Sequence, residues 1–363
     1  MRFETLAIHR GQEPDQATGA VTVPIYQTST FQQDAIGKLR GGYEYSRVNN
    51  PTRAALETAL AALEDGTDAL AFSSGVAAVC AVLELLKPGD HVLACQDIYG
   101  GTYRLLEKVY RKWGLQTSYA DPADPKAFRR GLTPKTRLIW LETPSNPLLK
   151  TCDIRAIARI AAGAGARLAV DNTFASPFLQ RPLKLGADIV VHSTTKYLGG
   201  HSDLVGGAVV TSDRRAGEAM KFHQKAAGSV PGPWDCWLVL RGLKTLAVRM
   251  RQHQANASYL ARFLRKHRKV DRVRYPGCGG MVSLELAGGR QAVDRFLSRL
   301  KLFILAESLG GVESLVCYPP EMTHGSLPRA ERLKRGITDS LVRLSVGLED
   351  RKDLRDDLRQ ALS

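Results

Sequence analysis

Two stretches of sequence decide the fold, Arg167-Leu-Ala-Val-Asp-Asn-Thr-Phe174 and Ala187-Asp-Ile-Val-Val-His-Ser-Thr-Thr-Lys-Tyr197. Each contains a short, nearly continuous apolar run, which is typical of a strand buried on both faces of a parallel sheet. Each run ends in polar residues, so Asp171 and Lys196 are predicted to lie at the same edge of the sheet. Open α/β folds bind their ligands at this edge.

The same pattern extends along the chain on both sides of these stretches. Earlier residues alternate between apolar runs, at 69–72, 91–95, 115–119 and 137–142, and helical patterns, at 76–86, 102–113 and 154–164. This βαβ order predicts a mostly parallel α/β sheet. After about residue 225 the pattern changes to a long helical region at 234–267, then strands at 281–286 and 341–346 and helices at 291–300 and the C-terminus. That change predicts a smaller α+β domain.

The chain is accordingly divided into three parts. Residues 1–50 are turn-rich and poorly periodic, which predicts an extended arm that reaches a neighbouring subunit. Asn50 and Pro51 then offer a helix N-cap and a proline at the first helical position. The large domain is predicted at residues 51–225 and the small domain at residues 226–363.

Composition excludes several classes of protein. With 44% hydrophobic and 24% charged residues the chain resembles an ordinary globular protein, and no apolar stretch is long enough to cross a bilayer. Residues 1–15 carry charges throughout, unlike a secretory signal, so a cytoplasmic protein without a membrane partner is expected. The six cysteines form no C-x-x-C pair and the eight histidines have no zinc-ligand spacing. Reduced thiols and no metal are therefore expected.

The net charge of +15 leaves one rival class open, a nucleic-acid or regulatory binding protein. The charge is densest in residues 262–274, which read as the solvated end of a helix without the interleaved aromatic platform of single-strand binders. A charged surface is the simpler interpretation, and no nucleic-acid partner is expected.

Three local features indicate a chemistry. Ser73-Ser74-Gly75 lies where a helix should begin, a place that suits a phosphate but is also a common cap. A pyridoxal-phosphate (PLP) enzyme needs a carboxylate to keep the pyridine nitrogen protonated and a lysine to bond to the cofactor, and Asp171 and Lys196 supply both. Arg343 has the shape to bind a substrate carboxylate, although its sequence context alone suggests a surface strand residue.

A series of motifs is spread along the whole chain. They are Tyr45-Ser-Arg47 with Asn50-Pro-Thr-Arg53, Tyr99-Gly-Gly-Thr102, Glu142-Thr-Pro-Ser-Asn-Pro147, Val170-Asp-Asn-Thr173, His192-Ser-Thr-Thr-Lys-Tyr197, Gly200-His-Ser-Asp203, Arg241-Gly-Leu-Lys-Thr245, Ala306-Glu-Ser-Leu-Gly-Gly311 and Met322-Thr-His324. In this order they resemble the Cys/Met-metabolism family of PLP-dependent enzymes, from about Phe3 to the C-terminus. The resemblance implies the α/β architecture of fold-type I PLP-dependent transferases.

The resemblance also implies roles for individual residues. The catalytic residues would be Lys196, which bonds to PLP, Asp171, which pairs with the pyridine nitrogen, and Tyr99, which stacks on the ring. The remaining cofactor contacts divide by subunit: Gly75, Val76, Ser193 and Thr195 hold the phosphate and Thr173 contacts the cofactor from within, while Tyr45 and Arg47 are lent across a dimer interface.

Substrate contacts are implied at two ends of an amino acid. They are Asn146, Ser308 and Arg343 at the carboxylate, and Glu44, Arg104 and Glu307 near the distal end. Because the site is shared, the resemblance implies a homo-oligomer, a tetramer built as a dimer of dimers.

The expected activity is trans-sulfuration at the γ carbon, as in cystathionine γ-lyase, which converts cystathionine to cysteine, 2-oxobutyrate and ammonia. Cystathionine γ-synthase is the main alternative. The acid at Glu307 counts against a β-lyase, Gly101 counts against a methionine γ-lyase, and the short chain counts against a homoserine sulfhydrylase.

Two positions depart from the family pattern. Asn49 replaces a glycine, and Gly277 runs directly into Cys278 where relatives insert a loop and a short helix. The missing segment keeps a further rival open, a catalytically degraded scaffold.

Overall fold

The computed structural model of the chain describes residues 1–325 and 327–363. The strands in this part are β1 (Gln33–Ala35), β2 (Lys38–Leu39), β3 (Asp68–Phe72), β4 (His91–Cys95), β5 (Gln116–Ala120), β6 (Thr136–Glu142), β7 (Arg167–Asp171), β8 (Ile189–Ser193), β9 (Gly207–Thr211), β10 (Val270–Arg274), β11 (Met281–Leu286), β12 (Ile304–Leu305), β13 (Leu315–Cys317) and β14 (Leu341–Ser345).

The α-helices in the same residues are α1 (Phe3–His9), α2 (Pro51–Glu64), α3 (Gly75–Leu83), α4 (Gly100–Arg104), α5 (Pro125–Gly131), α6 (Ile154–Gly163), α7 (Ser176–Leu179), α8 (Arg214–Ala227), α9 (Pro233–Leu243), α10 (Leu246–Leu264), α11 (Gly289–Arg299), α12 (Arg329–Lys334) and α13 (Arg351–Ala361). A π-helical turn at Leu105–Tyr110 and a 3₁₀ turn at Arg111–Trp113 continue α4, and a second 3₁₀ turn spans Pro182–Leu185.

The large sheet has the order β3-β9-β8-β7-β6-β4-β5. All of its strands run parallel except β9, which pairs antiparallel with both β3 and β8. One face is covered by α3, α6 and α8, and the other by α2 and α9, so apolar residues fill both faces as the continuous runs predict. The predicted α/β fold is confirmed. Strand β9 was missed because its short apolar run comes after a glycine-rich segment that reads as a loop.

A second, smaller sheet lies in the C-terminal part with the order β10-β11-β14-β13-β12. Its pairs are antiparallel except β12 with β13. Helices α10, α11 and α13 pack on it around a core that includes Leu260, Phe296 and Leu358. The long helical region predicted at 234–267 is two helices, α9 and α10, separated at Lys244 and Thr245.

The N-terminal segment is more ordered than an extended arm. Helix α1 packs against α2 and α10, with Ala7 fully buried and Phe3 and Leu6 on the same core. The i, i+3, i+4 spacing of these three residues is the helical signal, in a segment too short to stand out from its turn-rich surroundings. The predicted start of α2 agrees with the structure, because the Asn50 side chain accepts hydrogen bonds from the amides of Thr52 and Arg53.

The shortened segment after Pro276 forms a compact turn between β10 and β11. The Tyr275 hydroxyl donates to the carbonyl oxygens of Gln254 and Gly279, and the Gly279 amide donates to the Gln254 side chain. The junction thus closes with its polar groups bonded to α10, at the far side of the small sheet from β12. Within the described ranges, no helix has the length and apolar character that a membrane span requires.

Candidate active site

Three neighbouring strands of the large sheet end at one cavity. Strands β6, β7 and β8 finish with Glu142, Asp171 and Ser193, and Asp171 is in register with Glu142 on one side and Val191 on the other. The cavity has a volume of about 610 Å³, within the usual range of about 300–1,000 Å³ for small-molecule sites. The small sheet closes it through the segment after β12 and through β14, which brings Arg343 to the cavity.

Lys196 lies in this cavity, three residues beyond the end of β8. Its Nζ donates to Ser308 Oγ over 2.8 Å, and within the described residues it forms no ion pair. Burial and the nearby positive charge of Arg343 lower the pKa of Lys196 to about 8, while the carboxylate of Glu307 opposes the shift. The neutral, nucleophilic fraction of this amine near neutral pH is therefore far larger than that of an ordinary lysine, although the ammonium form still predominates.

Asp171 is held by the turn immediately after β7. Its Oδ1 accepts from the backbone amide of Thr173 over 3.1 Å and from the Thr173 hydroxyl over 2.6 Å. Burial raises the pKa of Asp171, and the two bonds from Thr173 and the charge of His192 only partly offset this. A cation placed beside the carboxylate would bring its pKa down again, because opposite charges favour the ionised form.

The N-terminus of α3 meets the loop after β8 at very close range. A Cβ on Gly75 would lie 2.9 Å from Cβ of Ser193, and one on Gly207 would overlap the Ser74 carbonyl, so glycine is required at both positions. Ser74 caps the helix by accepting from the Ala77 amide. These free amides and hydroxyls form a concave anion site of the kind that helix N-termini provide.

Thr195 also lines the cavity beside this cradle. Its hydroxyl donates to the Gly206 carbonyl and accepts from the Gly206 amide, so it must rotate to donate to an anion. Lys196 and Arg343 are the basic side chains that the described residues place around the cavity. The anion cradle itself thus contains no cation from the described part of this chain.

Arg343 is the most unusual side chain of the site. It is 2% exposed and lies in the middle of β14, which corrects the interpretation of its sequence context as that of a surface strand. The Nη1 atom donates to Asn146 Oδ1 over 2.6 Å and Nη2 donates to the Ser308 carbonyl over 3.1 Å, while Nε has no partner among the described residues. No carboxylate in the described residues pairs with this guanidinium. A buried charge without a counterion calls for an anionic ligand.

Tyr99 and Glu307 line the cavity from opposite domains. Tyr99 precedes α4 and is 36% exposed, and its backbone amide donates to Oε2 of Glu142 over 2.7 Å. Glu307 lies just after β12 and is exposed to solvent. The structure thus collects most of the predicted site residues around one cavity: Gly75, Val76, Tyr99, Asn146, Asp171, Thr173, Ser193, Thr195, Lys196, Glu307, Ser308 and Arg343.

Four predicted residues do not line this cavity. Tyr45 and Arg47 line a separate cavity of about 330 Å³ formed by the N-terminal segment and residues 230–233. Tyr45 is 43% exposed, and the Arg47 guanidinium donates to the Lys225 carbonyl over 2.7 Å. Glu44 and Arg104 are exposed. Within one subunit, these four therefore do not reach the groups around Lys196.

Several lining residues were absent from the predicted set. They are chiefly Thr102, Glu142, Ser202, Glu313 and Thr323. Glu142 could have been found, since it ends an apolar strand next to the strand of Asp171 and obeys the same sheet-edge rule. The others lie next to glycines or in loops, where sequence periodicity carries no signal.

A buried lysine of lowered pKa, a strand-end carboxylate and an anion cradle at the edge of a mostly parallel sheet define the site of a PLP-dependent enzyme. The family model described as "Cys/Met metabolism PLP-dependent enzyme" matches residues 4–363. The chain belongs to this family, and PLP is its cofactor.

Individual relatives cover almost the whole chain. A cystathionine gamma-synthase of Mycobacterium tuberculosis is 54% identical over 99% of this chain and 96% of its own. A cystathionine gamma-lyase of Bacillus subtilis is 50% identical over 100% of this chain and 99% of its own. The crystal structure of cystathionine gamma-lyase from Lactobacillus plantarum complexed with L-serine is 46% identical, covers 99% of this chain and 98% of its own, and superposes with a TM-score of 0.97.

The residues present suit PLP on three counts. The Oδ2 atom of Asp171 is free of the bonds that hold Oδ1, and a protonated pyridine nitrogen would supply the paired cation that this buried acid lacks among the described residues. The cradle at Gly75 leaves backbone amides for a phosphate. Lys196 offers an amine whose neutral fraction at physiological pH is far larger than that of an ordinary lysine. The chemistry of the donor set thus fits the group.

The lowered pKa of Lys196 predicts how cofactor uptake depends on pH. Since only the neutral amine attacks the PLP aldehyde, the rate constant for incorporation of PLP into apoprotein should rise with pH and level off above a midpoint near 8, measured by visible absorbance. Glu307→Gln removes the carboxylate that raises this pKa, so its midpoint should fall below that of the wild type. A midpoint near 10.5, the ordinary lysine value, would contradict the assignment.

Proposed function

We propose that this chain is a trans-sulfuration enzyme that acts at the γ carbon of an amino-acid substrate and cleaves cystathionine to cysteine, 2-oxobutyrate and ammonia. The observation that carries the proposal is the buried Arg343, whose guanidinium has no carboxylate partner in the described residues and lines the cavity that holds Lys196. An α-carboxylate would complete this site.

Arg343 would bind and orient the substrate. Its Nη atoms are already fixed by the Asn146 side chain and the Ser308 carbonyl, so little side-chain entropy remains to be lost on binding. Arginine forms two parallel hydrogen bonds to a carboxylate, which sets direction as well as affinity. Held in this way, the substrate presents its amine and Cα–H bond towards Lys196.

Lys196 would move the protons. PLP, when bound, supplies an aldehyde that bonds to amines and an electron sink for bonds broken at the adjacent carbon. The Lys196 amine, with its pKa lowered to about 8, is matched to take a proton from Cα near neutral pH and, once it has given that proton up, to take a second one from Cβ. Its contact with Ser308 Oγ keeps Nζ directed into the cavity. Loss of both protons lets the γ substituent leave.

The distal end of the substrate would face acidic side chains. Glu307 comes directly after Ala306 at the cavity, and its carboxylate is close enough to Lys196 to affect the charge of that amine. Cystathionine carries a second ammonium at its far end, and Glu307 would pair with it. A γ-substituted substrate without this ammonium would lose that contact.

A second candidate is cystathionine γ-synthase, which joins an O-acylhomoserine and cysteine. It is favoured by the relatives of that name at 54% identity, against 50% for the relative named gamma-lyase. Both reactions need the same carboxylate site and the same proton transfers by Lys196. They differ in the step after the γ group departs: hydrolysis in the lyase, addition of cysteine in the synthase.

The proposed site is shared between two subunits. The phosphate cradle around Gly75 and Ser193 receives no cation from the described residues of its own chain, whereas Tyr45 and Arg47 stand on an exposed segment away from it. We propose that these two residues complete the cradle of a second subunit, in a homotetramer arranged as a dimer of dimers. Each dianionic phosphate would then gain an arginine.

The first prediction of this proposal concerns the reaction itself. Purified protein loaded with PLP should release 2-oxobutyrate from L-cystathionine, and Lys196→Ala should lower the rate by at least about 1,000-fold because it removes the group that moves the protons. Oxoacid formation is measured with a coupled dehydrogenase. Formation of cystathionine from O-acylhomoserine plus cysteine, with negligible cleavage of cystathionine, would reassign the protein to the synthase.

Sharing of the site predicts complementation between two inactive variants. Lys196→Ala and Arg47→Ala should each be nearly inactive alone, because every site in a dimer of one variant contains the substitution. Subunits mixed at random should recover about a quarter of wild-type activity, because half the dimers are hybrids and each hybrid has one intact site. The assay is run on the refolded or co-expressed mixture. Activity equal to the mean of the two parents would contradict a shared site.

A further inference from the structure

Glu142 is a buried acid in the cavity that the proposed mechanism leaves unused. It is the last residue of β6, is 4% exposed, and lines the cavity beside Asp171. Its Oε2 accepts from the Tyr99 backbone amide over 2.7 Å, and its own amide donates to Sγ of Cys95 over 3.3 Å. One side of this carboxyl group is therefore committed to the residue that precedes α4.

The surroundings of Glu142 are acidic on both sides. The order of the large sheet places β6 between β7, which ends in Asp171, and β4, which ends two residues before Asp97. The Cys95 thiol, on β4, also lies near Glu142, and the Cys152 thiol lies close to Cys95. None of the three acids forms an ion pair within the part of the chain that the structure describes.

The described residues supply too few hydrogen-bond donors and cations to stabilise negative charges on Glu142, Asp171 and Asp97 at the same time. Asp171 has two donors from Thr173 and faces the expected pyridine nitrogen, and Asp97 accepts the hydroxyl of Ser145. Lys150 lies near Asp97 but pairs with Asp121 at 3.1 Å. The donors to the Glu142 carboxyl group are, among the described residues, backbone amides alone. Burial and the negative charges of Asp171 and Asp97 raise the pKa of Glu142 well above its usual range.

We propose that Glu142 is a positioning residue that works as a neutral carboxylic acid, holding the Tyr99 backbone in place without adding a second negative charge beside Asp171. The proposal rests on the proposed function through the position of Tyr99 at the cofactor. A carboxylic acid still accepts the Tyr99 amide through one oxygen. An ionised group at the same place would compete with Asp171 for the single cation of the cofactor ring.

The hydrogen bond between the Tyr99 amide and Glu142 lies at the point where α4 begins. The Tyr99 side chain makes no hydrogen bond within the described residues, so the orientation of its ring depends on its backbone and on the flat surface of Gly101, where a Cβ would overlap the ring. Fixing the amide of Tyr99 therefore fixes the backbone position from which its ring extends over Gly101. Small displacements of groups that contact a reacting centre cost activity steeply.

Two variants test whether the carboxyl group of Glu142 is neutral or ionised. Glu142→Gln keeps an acceptor for the Tyr99 amide and adds no charge, so kcat/KM should stay within about threefold of the wild type. Glu142→Ala removes the acceptor of the Tyr99 amide hydrogen bond, and kcat/KM should fall by about 10- to 100-fold, mainly through kcat. The pH midpoint of the cofactor's visible absorbance should be unchanged in Glu142→Gln. If Glu142 were ionised, losing its negative charge would lower that midpoint.

A spectroscopic readout tests the same point without any substrate. Infrared difference spectra of wild type minus Glu142→Gln, recorded on the PLP-loaded protein and on the apoprotein, should contain the carbonyl stretch of a protonated carboxylic acid. Absence of this band, or equal loss of kcat/KM in the two variants, would overturn the proposal. Because the band and the visible midpoint do not depend on which substrate is cleaved, a failed cystathionine assay would leave this test intact.

Discussion

The arrangement of the site depends on one buried charge, the guanidinium of Arg343. Removing an ion from water costs several kcal/mol unless it is paired, and no carboxylate of the described residues pairs with this one. The Asn146 amide oxygen and the Ser308 carbonyl offset part of the cost and fix the direction of the side chain. The remainder is stabilisation that an anionic ligand can supply. An unpaired buried charge lowers the stability of the folded state. We therefore attribute its presence to ligand binding.

The acids at the opposite side of the cavity are likewise buried groups without a paired ion among the described residues. Parallel strands bring their carboxyl ends to one edge, and three of these ends carry acids or lie next to acids that lack cations among the described residues. Before any ligand is bound, the lining of the cavity of about 610 Å³ thus combines the basic side chains of Lys196 and Arg343 with the strand-end carboxyl group of Asp171. Arg343 would pair with the carboxylate of an amino-acid substrate, and Asp171 would pair with the pyridine nitrogen of PLP. Electrostatic complementarity of this kind is a property of preorganised catalytic sites.

The sequence predicts much of this arrangement because the key residues come directly after regular strands. The two buried strands before Asp171 and Lys196 specify the sheet, and the edge rule then brings both side chains together without knowledge of the tertiary structure. The same rule would also have placed Glu142 at this edge, because Glu142 is the last residue of a neighbouring strand.

Other features depend on contacts that the local pattern does not encode. Arg343 looks like a surface strand residue because alternation along a strand does not reveal that β11, β13 and the large domain cover it. Helix α1 is too short for periodicity to register, and β9 comes after a glycine-rich loop. The role of Tyr45 and Arg47 depends on a second subunit, since their own cavity is not the one around Lys196.

The most direct test of the central claim is the effect of Arg343→Lys on the KM for L-cystathionine. Lysine keeps the positive charge but loses the two-pronged geometry, so KM should rise by about 10- to 100-fold, as expected for the loss of one charged hydrogen bond, while the visible cofactor band stays unchanged. An unchanged KM would show that the substrate carboxylate binds elsewhere, and the assignment of this buried arginine as the anchor of the site would fail.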